Sequence, residues 1–230
     1  DLRLEDWRRL LQMARQTENV AVAAPHARVD ALMAMGTRTV GVVMTGVDPE
    51  AEPRINRLAA SVADGEYLTR GEAGMVVIGK GVAARLDVGL DDELMVTVSG
   101  KGGEMGSAML RVRGIVATGS SQLDNSICHV LLEEVAKLTG YEGAAEISIL
   151  LKDPEEREET AAALRERLSN KHVVIGWEQI VPELASGIEV DETWTRLMVG
   201  VVIVVVFLGI ASAQLAAVLE RRKEFAVLSA

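Results

Sequence analysis

The chain has 230 residues, of which 34 are acidic and 24 are basic, giving a formal net charge of −10. An acidic balance of this size argues against binding to nucleic acid or to an anionic lipid surface. The single cysteine, Cys128, excludes an intrachain disulfide, and with His129 beside it supplies only half of a zinc shell. We therefore expect no nucleic-acid partner, no metal site and no cofactor.

The first part of the chain predicts a helix, then strands, then a second helix. Residues 4–16 carry apolar side chains on one face, which is typical of an amphipathic helix. Strand-like runs follow at 19–24, 29–35 and 37–47, with a turn at 46–49. Residues 53–63 have apolar side chains at i, i+3, i+4 and i+7, which predicts another helix.

The middle of the chain predicts alternating strands and helices. Strands are predicted at 75–78, 94–98, 109–116, 147–151 and 172–177. Helices are predicted at 81–86, at 131–139 with Gly140 as C-cap, and from Asp153 to about 168, where Pro154 suits the first helical position. The sum is a mixed α+β fold.

Two glycine-rich stretches resemble anion sites only superficially. Residues 74–81 nearly match the phosphate-binding pattern G-x-x-x-x-G-K-[ST], but Gly81 replaces the hydroxyl and the middle positions are strand formers. We therefore predict a strand that turns into a helix there. Lys101, in the glycine-rich loop 99–106, is better explained as part of a mobile hairpin tip than as an anion ligand.

No catalytic or metal-binding set emerges from the remaining residue types. The histidines at 26, 129 and 172 are scattered, and no nucleophile stands near them in a recognisable pattern. The methionines form no compact group, so filling of the core is favoured over soft-metal binding. The methionines concerned are Met33, Met35, Met44, Met75, Met95, Met105 and Met109.

The longest uncharged stretch, residues 197–219, predicts a transmembrane helix. At about 1.5 Å per residue it spans about 34 Å, slightly more than the ~30 Å hydrocarbon core of a bilayer. The alternative is a fully buried helix, but a chain this short has little protein to surround one. The basic run 221–223 follows the span, so the positive-inside rule puts residues 1–195 outside the cytoplasm and Trp194 at the outer headgroup level.

One face of this span is made of small residues. Gly209, Ala213 and Ala217 recur at i, i+4 and i+8, which favours close packing of another helix over a solitary anchor. Gln214 in the same span favours an interhelical hydrogen bond.

Several motifs together resemble the FtsX-like permease superfamily, which includes the macrolide-exporter (MacB) and lipoprotein-releasing (LolC/LolE) types. The resemblance covers most of residues 40–228. The similar segments are 46–49, 77–94, 112–124, 177–184 and 219–228. Two positions depart from the family pattern, since Asp91 stands where glycine is preferred and Ser229 where arginine is usual.

The resemblance implies a fragment of a four-helix permease, with one helix before Asp1 and two after Ala230. Its extracytoplasmic α+β domain would have a porter-like part and an inserted β-rich part. The implied boundaries are 1–49 and 143–178 for the porter-like part, 50–142 for the insertion, 179–196 for a connecting stalk, 197–219 for the membrane helix and 220–230 for a cytoplasmic coupling segment.

The function implied is that of a permease subunit in a mechanotransmission ABC transporter of the bacterial inner membrane, without catalytic residues of its own. Such a subunit works with an ABC ATPase and a second permease protomer, in a homo- or heterodimer, to release lipoproteins or export an envelope substrate. The residues placed near the ATPase are Glu220, Arg221, Arg222, Lys223, Glu224, Phe225 and Leu228.

Two other functions fit the same topology. A single-span receptor with an extracytoplasmic ligand domain would be followed by a signalling segment after Ala230. A division-type scaffold would instead activate cell-wall hydrolases.

Overall fold

The structure is a computed structural model that describes residues 4, 6–168, 172–176 and 198–214. The chain divides into two compact units, Asp1–Lys171 and His172–Ala230. The helices of the first unit are α1 (Trp7–Arg15), α2 (Glu52–Ile55), α3 (Lys80–Leu86), α4 (Ser121–Asp124), α5 (Leu132–Thr139) and α6 (Arg157–Arg167). Its strands are β1 (Val20–Met35), β2 (Arg38–Val47), β3 (Val62–Gly65), β4 (Met75–Gly79), β5 (Glu93–Ser99), β6 (Met105–Val116), β7 (Cys128–Leu131) and β8 (Glu146–Leu151). The prediction of a mixed α+β fold is confirmed.

Six strands close into a barrel. Going around it, residues 27–35 of β1 pair with β2, β2 with β7, β7 with β4, β4 with β6, β6 with β5, and β5 with residues 31–34 of β1. The β2–β7 and β4–β6 pairs are parallel and the other pairs are antiparallel. A ladder that returns to its first strand has no free edge, which removes a site of unwanted strand pairing.

The barrel interior is the main core of the protein. Alternate side chains of each strand point inwards, as the two-residue period of a strand requires. Met33 and Met44 are fully buried there, and Leu86 of α3 and Leu138 of α5 pack against the same core from the helices. A second cluster outside the barrel wall buries Val77 and Leu131 beneath the segment that contains Leu58 and Leu68.

A smaller layer continues from the barrel because β1 is long enough to serve both. Residues 20–26 of β1 pair antiparallel with β8, and α1 packs Leu11 and Ala14 against Val20 and Ala23. The layer is defined here as α1, residues 20–26 of β1, and β8. It therefore has a core of its own, and a single strand runs through both parts. The predicted division of the domain at residues 50 and 142 stays a prediction.

The helix predicted over residues 53–63 is wrong. α2 ends at Ile55 because Asn56 adopts an extended backbone, with φ −135° and ψ 169°. The Asn56 side chain donates to Glu52 and accepts the backbone N–H of Leu58 at 3.0 Å, which fixes the break. A short 3₁₀ turn, Ala59–Ser61, then leads into β3.

Three other segments differ from the sequence prediction. α6 begins at Arg157, because the Asp153 carboxylate accepts the backbone N–H of Glu155 at 2.9 Å and forms a turn instead of a helix start. β7, which the sequence does not predict, is a fully buried strand directly before α5. Residues 172–176 adopt neither helix nor strand.

In the second unit, residues 198–214 form a helix whose large apolar side chains are exposed, with Val204 at 57% and Phe207 at 71%. Across the ranges that the structure describes, no helix is both long enough and apolar enough to cross a membrane. Residues 215–219 of the predicted span and the whole of the predicted coupling segment lie outside those ranges.

Candidate functional site: a buried ion network between barrel and layer

His26 occupies the position at which β1 passes from the layer to the barrel. It is the last residue paired with β8, opposite Glu146, and the next residue, Ala27, is the first paired with β2. The imidazole is 5% exposed. A buried ring at this position needs hydrogen-bond partners on both of its nitrogens.

Glu52 supplies the partner on one side of the ring. The turn after β2 brings α2 back onto the layer, because Glu52 donates its backbone N–H to the Asp48 carbonyl at 2.9 Å and Ala51 packs against Ala24. This places Oε2 of Glu52 2.5 Å from Nε2 of His26. The other carboxylate oxygen accepts from Asn56, and Glu52 as a whole is only 1% exposed.

β8 supplies the partners on the other side of the ring. Nδ1 of His26 donates to Oγ of Ser148 at 2.9 Å and lies 3.6 Å from Oε1 of Glu146. Arg28, two residues along β1, holds the same Glu146 oxygen at 3.0 Å. One imidazole thus joins β1, α2 and β8.

The charges of this network support one another. Burial by itself lowers the pKa of His26, but the hydrogen bonds and charges of Glu146 and Glu52 outweigh it and raise the pKa to about 9. Burial raises the pKa of Glu52, yet the bond from Nε2 of His26 brings it below its ordinary value, and the interaction with Nδ1 of the same ring lowers the pKa of Glu146. The site therefore holds an imidazolium between two carboxylates.

A second buried histidine, His129, interacts electrostatically with Glu52 and His26 but differs from His26 in its charge. Burial lowers the pKa of His129 to about 4, so the ring is neutral near pH 7. Its Nδ1 accepts the hydroxyl proton of Tyr67 at 2.8 Å, and burial raises the pKa of that phenol, which keeps it a donor. The two rings meet edge to face at 6.2 Å.

Ser148, His26 and Glu52 have the composition of a hydrolytic triad but not its chemistry. A general base must offer a lone pair to the serine hydroxyl, and the Nδ1 atom facing Ser148 carries a proton when the imidazole is charged. A second carboxylate, Glu146, lies beside the same nitrogen and favours that charge. The arrangement is suited to holding three elements together.

Sequence reasoning missed this network because its members are far apart in the chain. His26 lies 26 positions from Glu52 and 122 positions from Ser148. No spacing rule covers such distances, and only the crossing of β1 with α2 and β8 makes them neighbours. A weak local signal was available in Pro25, a residue uncommon inside strands, which stands one position before His26.

The glycine-rich stretch 74–81 forms a strand followed by a helix, as predicted. A Cβ atom on Gly79 would overlap the carbonyl oxygen of Asp124, and one on Gly81 would overlap the Asn125 side chain. The N-terminus of α3 is therefore covered by protein at the position where a phosphate would bind. Lys101 lies in a short 3₁₀ turn, Lys101–Gly103, and a Cβ on the preceding Gly100 would overlap the carbonyl oxygen of Thr139 at the end of α5.

The methionine prediction is confirmed for some positions and wrong for others. Met33 and Met44 fill the barrel core. Met95, Met105 and Met109 lie on the outside of β5 and β6 and are 49%, 68% and 55% exposed. Cys128 is fully buried, and burial raises the pKa of its thiol to about 12.

Of the residues predicted to pack against another membrane helix, Gly209 and Ala213 lie in helix 198–214, and nothing comes within 4 Å of a Cβ placed on Gly209. Ala217 and the predicted ATPase-contacting residues, 220–225 and Leu228, lie outside the described residues. Both assignments stay predictions.

The curated relatives of this chain include the lipoprotein-releasing system transmembrane protein LolC from Xylella fastidiosa strains Temecula1 and 9a5c. Each is 24% identical over 232 residues, and each alignment covers 98% of this chain and 56% of the relative. The chain thus spans about half the length of the curated relatives it matches.

Solved structures include the extracellular domain of the noncanonic ABC-type transporter YknZ from Gram-positive bacteria, with a TM-score of 0.57 at 15% identity, covering 76% of this chain and 90% of that one. Another is the periplasmic region of MacB from Actinobacillus actinomycetemcomitans, with a TM-score of 0.49 at 11% identity, covering 70% and 73%. The first of these likenesses shows a shared fold. Residues 1–167 match the family described as the MacB-like periplasmic core domain. Because that match covers well over half of the chain, the chain belongs to the family of MacB-like periplasmic core domains.

Proposed function

We propose that the chain belongs to a permease subunit of an ABC transporter, in which residues 1–195 form the periplasmic domain of an inner-membrane protein. The observation that carries the proposal is the order of three features. A core domain of the MacB-like family, matched over 1–167, is followed by the uncharged stretch 197–219 and then by the basic run 221–223. A receptor or a soluble binding protein would not need a domain of this family at that place.

The proposed membrane segment is supported by the character of helix 198–214. Its apolar residues are exposed along the whole helix, including Val201, Ile203 and Leu208. Such a surface is unfavourable in water and favourable in lipid. We propose that the helix extends to Leu219 and packs through Gly209, Ala213 and Ala217 against another helix of the permease or of a second protomer.

The proposed role of the segment after Leu219 is contact with the ATPase. Phe225 and Leu228 are three positions apart and would share one face of a helix that continues from the membrane. An apolar pair on a charged helix suits insertion into a groove of a partner protein. ATP hydrolysis by that partner would move the membrane helices, and these would move the periplasmic domain.

The proposed substrate is a lipoprotein or another envelope molecule. The support is the name of the curated relatives, which are lipoprotein-releasing proteins at 24% identity. Release would be measured from spheroplasts that carry the intact protein and its ATPase, by the fraction of a labelled lipoprotein recovered in the soluble phase. If the lipoproteins stay in the membrane while another envelope molecule is exported, the substrate assignment is wrong but the assignment as a transporter stands.

The variant Phe225→Asp in the intact protein tests the coupling role. A charge at a groove-filling position should abolish co-purification with the ATPase and the stimulation of its turnover. Ala226→Asp is the matched control, because it adds the same charge one residue further on, about 100° around a helix. If Phe225→Asp keeps full stimulated turnover, or if both variants lose it equally, this segment is not the specific coupling contact. Purification of the intact protein with a kinase domain or a cell-wall hydrolase, and without an ATPase, would refute the transporter itself.

A further inference from the structure

We propose that the ion network of His26, Glu52 and Glu146 is the link that fixes the barrel and the layer as one rigid arm. The link itself is independent of the proposed function, and only its consequence for transport rests on that function. His26 and Glu52 are then positioning residues for the transmission of motion.

The barrel and the layer have separate cores. The barrel is filled by its own inward side chains and by α3 and α5, whereas the layer is packed beneath α1. Apolar contacts inside each part keep that part rigid, and the apolar contact between the parts is small, with Ala51 and Ile55 of the α2 region against Val22 and Ala24 of β1. The angle between the two parts has to be fixed where they meet, which is at residues 26–27 of β1.

The ion network lies at residues 26–27 of β1 and joins the barrel to the layer. Glu52 enters from the turn that continues β2, a barrel strand, and Glu146 enters from β8, a layer strand. Both carboxylates meet the ring of His26. If β1 bent between Pro25 and Ala27, the ring would have to leave at least one of them.

The contacts of the ion network resist changes in their geometry. Charge-assisted hydrogen bonds are short and directional, and inside a protein they are stronger than in water. Breaking one would leave a buried charge without its partner, which is strongly unfavourable. The network therefore adds directional contacts that favour one geometry to the small apolar contact of the α2 region with Val22 and Ala24.

The charged surroundings are consistent with a link that depends on the His26 proton. The groups that face it are Glu52, Glu146, Ser148 and, on the far side of Glu146, Arg28. His129 also interacts electrostatically with Glu52 and His26 and is neutral near pH 7. A second contact across the same junction joins Arg15 of α1 to Asp48, but at 3.9 Å and in a more exposed position it is weaker. Loss of the His26 proton should therefore loosen the junction.

The experiment measures the distance between the two parts in the intact protein. Spin labels are attached to cysteines introduced at two exposed positions, Gln12 on α1 and Thr39 on β2. The distance between the two labels is measured by pulsed electron paramagnetic resonance. Cys128 is fully buried and should take no label, which a protein with only Cys128 verifies. The expected result is one narrow distance peak near pH 7, loss of that peak in His26→Gln, and broadening of the peak of the unsubstituted protein as the pH rises through about 9.

Glu146→Gln is the second variant, since Glu146 is only partly buried and its loss is better tolerated than a change at His26. Its matched control is Glu93→Gln, which removes an exposed ion pair of 2.9 Å between Glu93 of β5 and Arg111 of β6, two neighbouring barrel strands. We expect a broadened peak for Glu146→Gln and an unchanged peak for Glu93→Gln. A peak that stays narrow in both His26→Gln and Glu146→Gln overturns the proposal, as does equal broadening in Glu93→Gln.

The consequence for transport is measured on the same variants with the ATPase present. Folded Glu146→Gln protein should bind and stimulate the ATPase as before but lose substrate release, since the stroke no longer reaches the far part of the arm. Full release with a broadened peak would overturn the transport consequence and leave the link standing. A failure of the Phe225→Asp test would overturn the proposed function without altering the distance measurements, so the two failures are distinguishable.

Discussion

Nε2 of His26 lies 2.5 Å from Oε2 of Glu52, and neither residue is more than 5% exposed. Buried ion pairs rarely add much stability compared with apolar side chains of the same size, because both charges lose their hydration. Such a pair is worth keeping where geometry matters more than energy. The position of this ion pair at the junction of barrel and layer therefore indicates a role in fixing geometry.

Removing one member of this pair should destabilise the domain strongly. In Glu52→Gln the buried imidazolium loses its closest carboxylate, and the expected loss is about 3 kcal/mol of unfolding free energy. Glu93→Gln, at an exposed pair, should cost less than about 1 kcal/mol. Urea unfolding of residues 1–171, followed by circular dichroism, measures both. Equal stability of the two variants would show that the buried pair is unimportant.

The two buried histidines should give the domain a stability maximum near pH 6.5. The folded-state pKa of His26 is about 9 against an ordinary value of 6.5, so its contribution is complete below pH 6.5 and is lost as pH rises to about 9. The folded-state pKa of His129 is about 4, so the unfolded chain takes up a proton that the folded one refuses as pH falls from 6.5 to 4. Each limb should amount to about 3 kcal/mol.

Unfolding free energies measured from pH 4 to pH 10 test this profile, and His26→Gln isolates the alkaline limb. That variant should lose the decline above pH 6.5 and keep the decline below it. The carboxylates steepen the acid side further, since the lowered pKa values of Glu52 and Glu146 mean that their contribution, present above 4.5, is lost as pH falls further. A profile that is flat between pH 6.5 and 9 in the unsubstituted domain would contradict the charge assignment of His26.

Local sequence signals predicted most strands of the barrel but not the barrel. The hairpin of β5 and β6 was predictable because its two runs alternate and are joined by a glycine-rich loop. Gly140 as C-cap of α5 was predictable too, and it has φ 69°. Closure depends instead on the parallel pairs, such as Thr45 with His129, which no local pattern encodes.

The helix wrongly predicted at 53–63 shows how a correct apolar pattern can mislead. Ile55, Leu58 and Val62 have helical spacing, but they do not share one face. Ile55 packs on the layer beside Ala51, whereas Leu58 and Val62 pack against the outside of the barrel. The pattern arises because the segment crosses two surfaces, and Asn56 breaks it between them.

Gly106 should be intolerant of any side chain. A Cβ there would overlap the carbonyl oxygen of Leu138, which is backbone and cannot turn aside. Gly106→Ala should therefore push β6 away from α5 and cost about 1–3 kcal/mol. Gly41→Ala is the matched control, because Gly41 is a strand residue with nothing within 4 Å of its Cβ position. The control should be neutral or slightly stabilising, and a similar loss in both variants would contradict the packing argument.

Replacing Asp91 with glycine should stabilise the domain. The φ of Asp91 is 64°, a left-handed backbone that L side chains adopt with strain, and its N–H must keep its bond to the Val112 carbonyl at 2.9 Å. Asp91→Gly should raise the unfolding free energy by about 0.5–1 kcal/mol, the left-handed strain being larger than the entropy that glycine gains in the unfolded chain. The neighbouring Asp92→Gly should have the opposite effect, because the Asp92 carboxylate accepts the backbone N–H of Gly89 at 2.8 Å. Thermal unfolding of the two variants side by side distinguishes relief of strain from a general benefit of removing acidic charge, since both remove one carboxylate and only one should stabilise.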